Sequence, residues 1–342
     1  MVGIVSYGVA IPRFRIKTEE IAMSWGKDPH EIGAALGIMS KAVPGVDEDA
    51  ATLAVEAGKR ALDANSLDPH SIGAVFVGSE SHPYAVNPTS TIVGEYLGVG
   101  RDYFASDLEF ACKAGTTGVQ VVSGLLEAGK IDYGMAIGTD TAQAKPHDIL
   151  EYTAGAGAGA YILGKNPQEL RAELIDFVSY SSDTSDFWRR DGMAYPSHGG
   201  RFTGEPAYFT HVLGATKMIL EKVKMTPEDF DYCVFHMPNG KFPQQAAKRI
   251  GFTKEQIQQS FLVPHIGNPY SASSMIGLAS VLDIAKPGQK IFMVSYGSGA
   301  GADAFVWNVL KEKTDNSPSV SDVVKEIEYV TYAQYLKMTG KI

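Results

Sequence analysis

The feature that most constrains this chain is an internal repeat. Leu67-Asp-Pro-His-Ser-Ile leads into the apolar run Ala74-Val-Phe-Val, and Met225-Thr-Pro-Glu-Asp-Phe leads into Tyr232-Cys-Val-Phe, an offset of 158. Gly155-Ala-Gly-Ala-Gly-Ala-Tyr-Ile-Leu is echoed by Gly299-Ala-Gly-Ala-Asp-Ala-Phe-Val-Trp at an offset of 144, so one intervening loop differs in length. Each echo follows an apolar strand pattern, at 133–139 and at 290–296. Between these landmarks, apolar residues at three- and four-residue spacing predict helices over 50–64 and 112–128 in one copy and over 212–223 and 273–284 in the other. The order reads helix, strand, helix, strand, helix, strand, strand, twice. Strands of Val, Ile and Phe alternating with such helices predict an α/β fold with helices packed on sheet faces. Two halves, 1–166 and 167–342, would then stack about a pseudo-twofold axis.

A length of 342 residues with 44% hydrophobic and 20% charged residues allows a sizeable core. The net charge of −9, without a long basic run, argues against nucleic acid or an anionic membrane as the main partner. Only Cys112 and Cys233 carry thiols, no secretory signal is evident, and no apolar stretch reaches the length of a transmembrane helix. These features predict a reducing cytoplasm.

In folds of this kind reactive groups sit at strand ends and helix starts, and the repeat maps them. Just past the equivalent strands lie Glu80 and His236, and 32 positions beyond each lie Cys112 and Asn268. Cys112, in Glu109-Phe-Ala-Cys-Lys-Ala-Gly, stands directly ahead of a helix. Helix N-terminal amides and the Lys113 cation favour thiolate, so its pKa is expected to fall from about 8.5 toward roughly 3.5–7.5. Cys233, inside an apolar strand, reads as a core residue. His236 stands where a strand breaks at Pro238 and Gly240, placed to exchange protons or bind an oxyanion. Asn268 is either a turn asparagine before proline or an amide donor to a carbonyl. Glu80, if enclosed, becomes a general base through desolvation. The Gly155-Ala-Gly-Ala-Gly run lacks the dinucleotide spacing, since Ala160 stands at the final glycine position, so no NAD and no metal are expected. Both copies of that run read as close backbone approaches near the pocket.

Taken together these motifs resemble 3-hydroxy-3-methylglutaryl-CoA synthases, in the archaeal form of that family within the thiolase superfamily. The resemblance runs from Ile4 to about Leu310 through Lys27-Asp-Pro, Glu80, Glu109-Phe-Ala-Cys-Lys, Phe235-His-Met-Pro-Asn-Gly-Lys, Gly267-Asn-Pro-Tyr-Ser-Ala-Ser and Ser295-Tyr-Gly-Ser-Gly. Bacterial and eukaryotic relatives tend to have tyrosine and glycine where Lys113 and Ala114 stand. The resemblance implies a duplicated thiolase-like fold layered α/β/α/β/α. It implies condensation of acetyl-CoA with acetoacetyl-CoA and water through an acetyl-Cys112 thioester, in the mevalonate route to isoprenoids. Cys112 would be the nucleophile, Glu80 the base and His236 the proton donor, with Asp28, Pro29, Thr153, Thr203, Asn268 and Ser298 meeting substrate. Arg201 and Lys241 would meet the CoA phosphates. No cofactor is expected beyond the CoA thioesters themselves. The family further implies a homodimer, and beside it an acetoacetyl-CoA thiolase and a small zinc-containing OB-fold protein.

Two other functions fit the same residues. A ketoacyl-carrier-protein synthase uses a Cys, His, Asn set but makes its carbanion by decarboxylation and needs no base at Glu80. A catalytically silent scaffold would bind CoA thioesters without forming an adduct on Cys112. The tail, 311–342, reads as an appended strand or helix.

Overall fold

The computed structural model describes residues 1–342, apart from the side chain of Arg201. Nine strands form one hydrogen-bonded sheet built from two half-sheets that meet edge to edge. In the first, Gly3–Ala10 pairs with Ala156–Gly164, which pairs with Tyr133–Thr141, then Ile72–Gly78, then Phe104–Leu108 at the edge. In the second, Ala172–Ser181 pairs with Gly301–Val309, then Lys290–Gly297, then Tyr232–Phe235. The halves join where Gly3 and Ile4 pair with Glu173 and Ala172.

Helices sort into three layers by which strand faces they cover. Ala50–Asp63 packs its alanine-rich face on the outer side of the first half-sheet, with Leu53, Ala57 and Ala61 buried against Val75 and Ile137. Phe209–Val223 does the same for the second, against Phe292 and Val306. Ala114–Glu127 and Ser273–Leu282 lie between the half-sheets in the largest core, with Val119, Val122, Ile276 and Leu278. Ser273–Leu282 is buried along its whole length, as a helix in a central layer must be. The expected α/β/α/β/α layering is therefore present, and all four predicted helices form within a few residues of their expected bounds.

The repeat is less regular than its sequence pattern. Each half opens with a strand, Gly3–Ala10 or Ala172–Ser181, that the pattern did not include. The second half also lacks an edge strand equivalent to Phe104–Leu108. The equivalent positions, 260–264, run into the short helix Val263–Ile266, with Pro264 in its first turn. The tail forms helices Val320–Lys325 and Tyr332–Met338 around the short strand Glu328–Tyr329, which pairs with Phe14–Lys17 of the first half. No helix among the described residues is long and apolar enough to cross a membrane.

Candidate active site

Glu80, Cys112, His236 and Asn268 come together at the ends of strands and the start of the central helices. Glu80 follows the strand Ile72–Gly78, whose last residue must be small. A Cβ on Gly78 would lie 2.3 Å from the backbone of Ala114 and Gly115, so glycine lets the Cys112 turn press onto the strand that delivers Glu80. Ala111 holds a left-handed φ of 45° immediately before the nucleophile, and Gly267, immediately before Asn268, has φ 71°. The two turns thus share a sharp reversal in corresponding places, and at Ala111 it carries the steric cost of a Cβ.

The Cys112 thiol donates a hydrogen bond to Glu80 Oε1 at 3.0 Å. Glu80 is half-buried, and withdrawal from water together with the nearby Asp140 carboxylate pushes it up from 4.5 to about 8. Asp140, fully buried, fixes this loop: it accepts from Ser79 Oγ at 2.8 Å, from the Glu80 N–H at 2.8 Å, from Ser81 Oγ at 2.7 Å and from the Ser271 N–H at 2.8 Å. Its place near the end of the apolar strand Tyr133–Thr141 is the one sequence signal for it.

The expectation of an acidic Cys112 is overturned. Burial pushes the thiol well above its ordinary value, Glu80 pushes it further, and only the backbone N–H of Ser298 pulls the other way. Lys113 does not face the sulfur. Its side chain runs into the core, donates to both Asp303 oxygens at 3.0 and 3.1 Å and lies 3.6 Å from the centre of the Phe110 ring. The helix N-terminus is also partly spent, because Ser271 Oγ accepts the Gly115 N–H at 2.9 Å. Adjacent sequence position placed the cation near the thiol; the turn sends it to the opposite side.

A cavity of about 380 Å³ opens onto Cys112, His236, Asn268 and Ser298, with Thr153 and Thr203 farther along its wall. His236 is buried, its Nδ1 has no partner among the described residues, and burial lowers it to about 3, so its resting form is the neutral imidazole. Asn268 Oδ1 accepts the Tyr270 N–H at 3.0 Å, which orients the amide and leaves the donors of Nδ2 for the cavity. Its backbone bonds to Thr153 and Gly155 at 2.7 and 2.9 Å, and a Cβ on Gly155 would lie 2.3 Å from the Ile266 carbonyl, the close approach expected of the glycine run. A second opening of about 210 Å³ reaches Glu80 from the other side, past Trp188 and Arg189.

The structure does not bring every expected residue in. Asp28 is exposed and caps its own helix, Pro29–Leu36, by accepting the His30 N–H at 2.8 Å; neither Asp28 nor Pro29 lines the cavity, although Leu36 at the other end does. Lys241 is exposed at the start of Phe242–Ile250, beside the lining residues Asn239 and Phe242. The Arg201 side chain lies outside the described residues. Tyr270, Tyr296 and Phe187 also line the cavity and were not anticipated. Cys233 is fully buried, as expected.

Comparison with known proteins places this geometry in context. Residues 220–309 match the family model described as 3-oxoacyl-[acyl-carrier-protein] synthase III C terminal. A hydroxymethylglutaryl-CoA synthase of Archaeoglobus fulgidus is 57% identical over 344 residues, covering 100% of this chain and 99% of that protein. One of Methanothermobacter thermautotrophicus is 54% identical with the same coverage. Among solved structures, MvaS in complex with 3-hydroxy-3-methylglutaryl coenzyme A superposes with a TM-score of 0.88 at 24% identity, over 99% of this chain and 91% of that one. The 3-oxoacyl-(acyl carrier protein) synthase III of Pseudomonas aeruginosa gives 0.82 at 21% identity, over 91% and 98%.

Proposed function

The chain belongs to the hydroxymethylglutaryl-CoA synthase family, and from that premise we propose that Cys112, Glu80 and His236 carry its chemistry. The enzyme is an acyltransferase that condenses acetyl-CoA with acetoacetyl-CoA and water to 3-hydroxy-3-methylglutaryl-CoA and CoA, a step of the mevalonate pathway. The observation that carries the residue assignment is the 3.0 Å contact between Cys112 Sγ and Glu80 Oε1, at a cavity that also holds His236 and Asn268.

Cys112 takes the acetyl group from acetyl-CoA and free CoA leaves with the proton. Glu80, made basic by its enclosure, then removes a proton from the acetyl methyl group next to the sulfur that it touches in the resting enzyme. The carbanion adds to the ketone carbon of acetoacetyl-CoA. His236, a neutral imidazole, presents its N–H to the ketone oxygen and supplies the proton to the new alkoxide. Asn268 Nδ2 and the Ser298 N–H stabilise oxygens that gain charge, while Thr153 and Thr203 contact the acyl chain. Lys241 and Arg201 serve the CoA phosphates. Water finally releases the product from Cys112. We read 1–166 and 167–342 as the two functional halves. A homodimer is supported by Tyr84, Val86 and Tyr96, exposed at 59%, 93% and 78%, near the edge strand that Phe104 opens. The thiolase and zinc-protein partners and a cytoplasmic location rest on the family resemblance.

Intact-mass measurement after mixing with acetyl-CoA, then with acetoacetyl-CoA, tests the assignment. Wild type and Glu80→Ala are expected to gain an acetyl group that Cys112→Ala does not, and only wild type should turn it over. An adduct on Cys112→Ala, or wild-type condensation by Glu80→Ala, would overturn the roles given.

A further inference from the structure

A third cavity, also of about 380 Å³, lies outside the reaction chamber, between the C-terminal tail and the ribbon Ala154-Gly155. Two cations line it, Lys41 and Lys341. Lys41 is only 2% exposed and sits on the strand Ser40–Ala42, opposite Ile16 in the ladder with Phe14–Lys17. A lysine so deep is expected to be paired with a carboxylate. Its Nζ instead donates to a neutral phenol, Tyr335 Oη, at 3.2 Å, and lies 4.6 Å from the centre of the same ring. Lys341 Nζ donates to that same oxygen. Among the described residues this phenol is the single hydrogen-bond acceptor of either Lys41 or Lys341 Nζ, so two basic nitrogens converge on one neutral oxygen with donors to spare.

Two carboxylates lie nearby and neither bonds an ammonium group, although the Glu151 charge favours the protonated form of both lysines from a distance. Glu48 lines the cavity, but its Oε2 accepts the Gly45 N–H at 2.7 Å. Glu151, fully buried, is taken up by Trp25 Nε1 at 2.9 Å, the His147 N–H at 2.8 Å and Tyr332 Oη at 3.0 Å. Burial and then the neighbouring Lys341 depress Lys41, and burial brings Lys341 down to about 8, while Glu151 offsets part of each shift. One oxyanion between the ammonium groups removes the repulsion and supplies the missing acceptors.

We propose that this cavity is a binding site for a small dianionic oxyanion, of the phosphate or dicarboxylate class, clamped between Lys41 and Lys341. The site is separate from the CoA-thioester cavity but abuts the same ribbon from behind. Ala154 and Gly155 line it, and their neighbours Thr153 and Gly155 hold the Asn268 backbone. Lys41 itself packs against Gly267, where a Cβ would meet its own Cβ at 2.7 Å. A bound anion would therefore tie the end of the tail, Met338 to Lys341, to the strand and ribbon that shape the Asn268 turn.

Calorimetric titration of the full-length protein, in a chloride-containing zwitterionic buffer, tests this with inorganic phosphate and with malonate as probes and a neutral diol as control. Saturable binding of one equivalent of either anion is expected, phosphate alone or malonate alone identifying the preferred class. Lys41→Met and, separately, Lys341→Met should each weaken it about tenfold or more, because each removes a charge-assisted contact. Lys341→Met alters only the partly exposed end of the tail, so it remains informative if Lys41→Met does not fold. Absence of saturable binding of both anions to wild type, or binding unchanged in Lys341→Met, overturns the proposal. The readout is binding, so it stands or falls apart from the roles given to Glu80, Cys112 and His236.

Discussion

The Glu80 carboxyl, held at about 8 instead of 4.5, makes the condensation step pH-dependent in a range where an ordinary glutamate would be silent. The base is the ionised form, so its population falls as pH drops below the folded value. With a midpoint near 8, the ionised fraction rises roughly ninefold from pH 6 to 7, about fivefold from 7 to 8, and less than about twofold from 8 to 9. Acetylation moves the midpoint further up, because it removes the thiol hydrogen bond that partly stabilises the Glu80 carboxylate. The assay starts from enzyme acetylated on Cys112, freed of acetyl-CoA, and follows a single turnover with acetoacetyl-CoA between pH 6 and 9 by rapid quench and mass analysis. The rate should climb along that curve with its midpoint at 8 or slightly above. A profile flat from pH 6 to 9 would place the Glu80 midpoint in the ordinary carboxylate range and refute the argument from enclosure.

Three further outcomes follow from the same geometry. Glu80→Gln should stabilise the fold at pH 9 by up to about 5 kcal/mol: the folded pKa lies above the unfolded one, so ionised Glu80 costs stability as pH rises from 4.5 toward 8, and the gain should vanish near pH 4 in urea titrations. His236→Ala should still accept acetyl on Cys112 but condense about 10²–10⁴-fold more slowly, seen as an adduct that persists after acetoacetyl-CoA is added. Asp303→Leu, which leaves the buried Lys113 ammonium unpaired, should cost about 3–5 kcal/mol in denaturant titration, and the double change Lys113→Met, Asp303→Leu should recover most of it; a double variant as unstable as the single one would count against the pair.

The convergence of the four candidate residues was legible because duplication turns one reading into two. Glu80 and His236 occupy equivalent strand ends, and equal spacing from each leads to Cys112 and Asn268, so the repeat located all four without any knowledge of their contacts. What escaped was information carried by long-range contact or by backbone conformation. Asp303 lies 190 positions from Lys113, and nothing local in Phe110-Ala-Cys-Lys tells that Ala111 turns left-handed and sends the next-but-one side chain inward. Asp28 is singled out by the family motif Lys27-Asp-Pro, and what the structure adds is that it caps the proline-initiated helix behind it. The second half has the short helix Val263–Ile266 where the first has its edge strand, and Pro264 signals it only once the repeat is no longer assumed to be exact.

The redirected Lys113 bears on the chemistry and not only on packing. A cation facing the thiol would favour thiolate, but it would also stand beside Glu80, which touches the sulfur, and would stabilise its carboxylate and lower its basicity. The two demands conflict, since a nucleophile gains from positive charge and a base that must take a proton from a thioester methyl group loses by it. Sending the ammonium group to Asp303 leaves burial and Asp140 in control, and both raise Glu80. The thiol is raised along with it, a cost that falls on acetylation, where the electrophile is an activated thioester. The benefit falls on carbon–carbon bond formation, where no decarboxylation supplies the carbanion. On the roles proposed for Glu80 and Cys112, their contact is what a condensing enzyme that makes its own carbanion from an acetyl group requires.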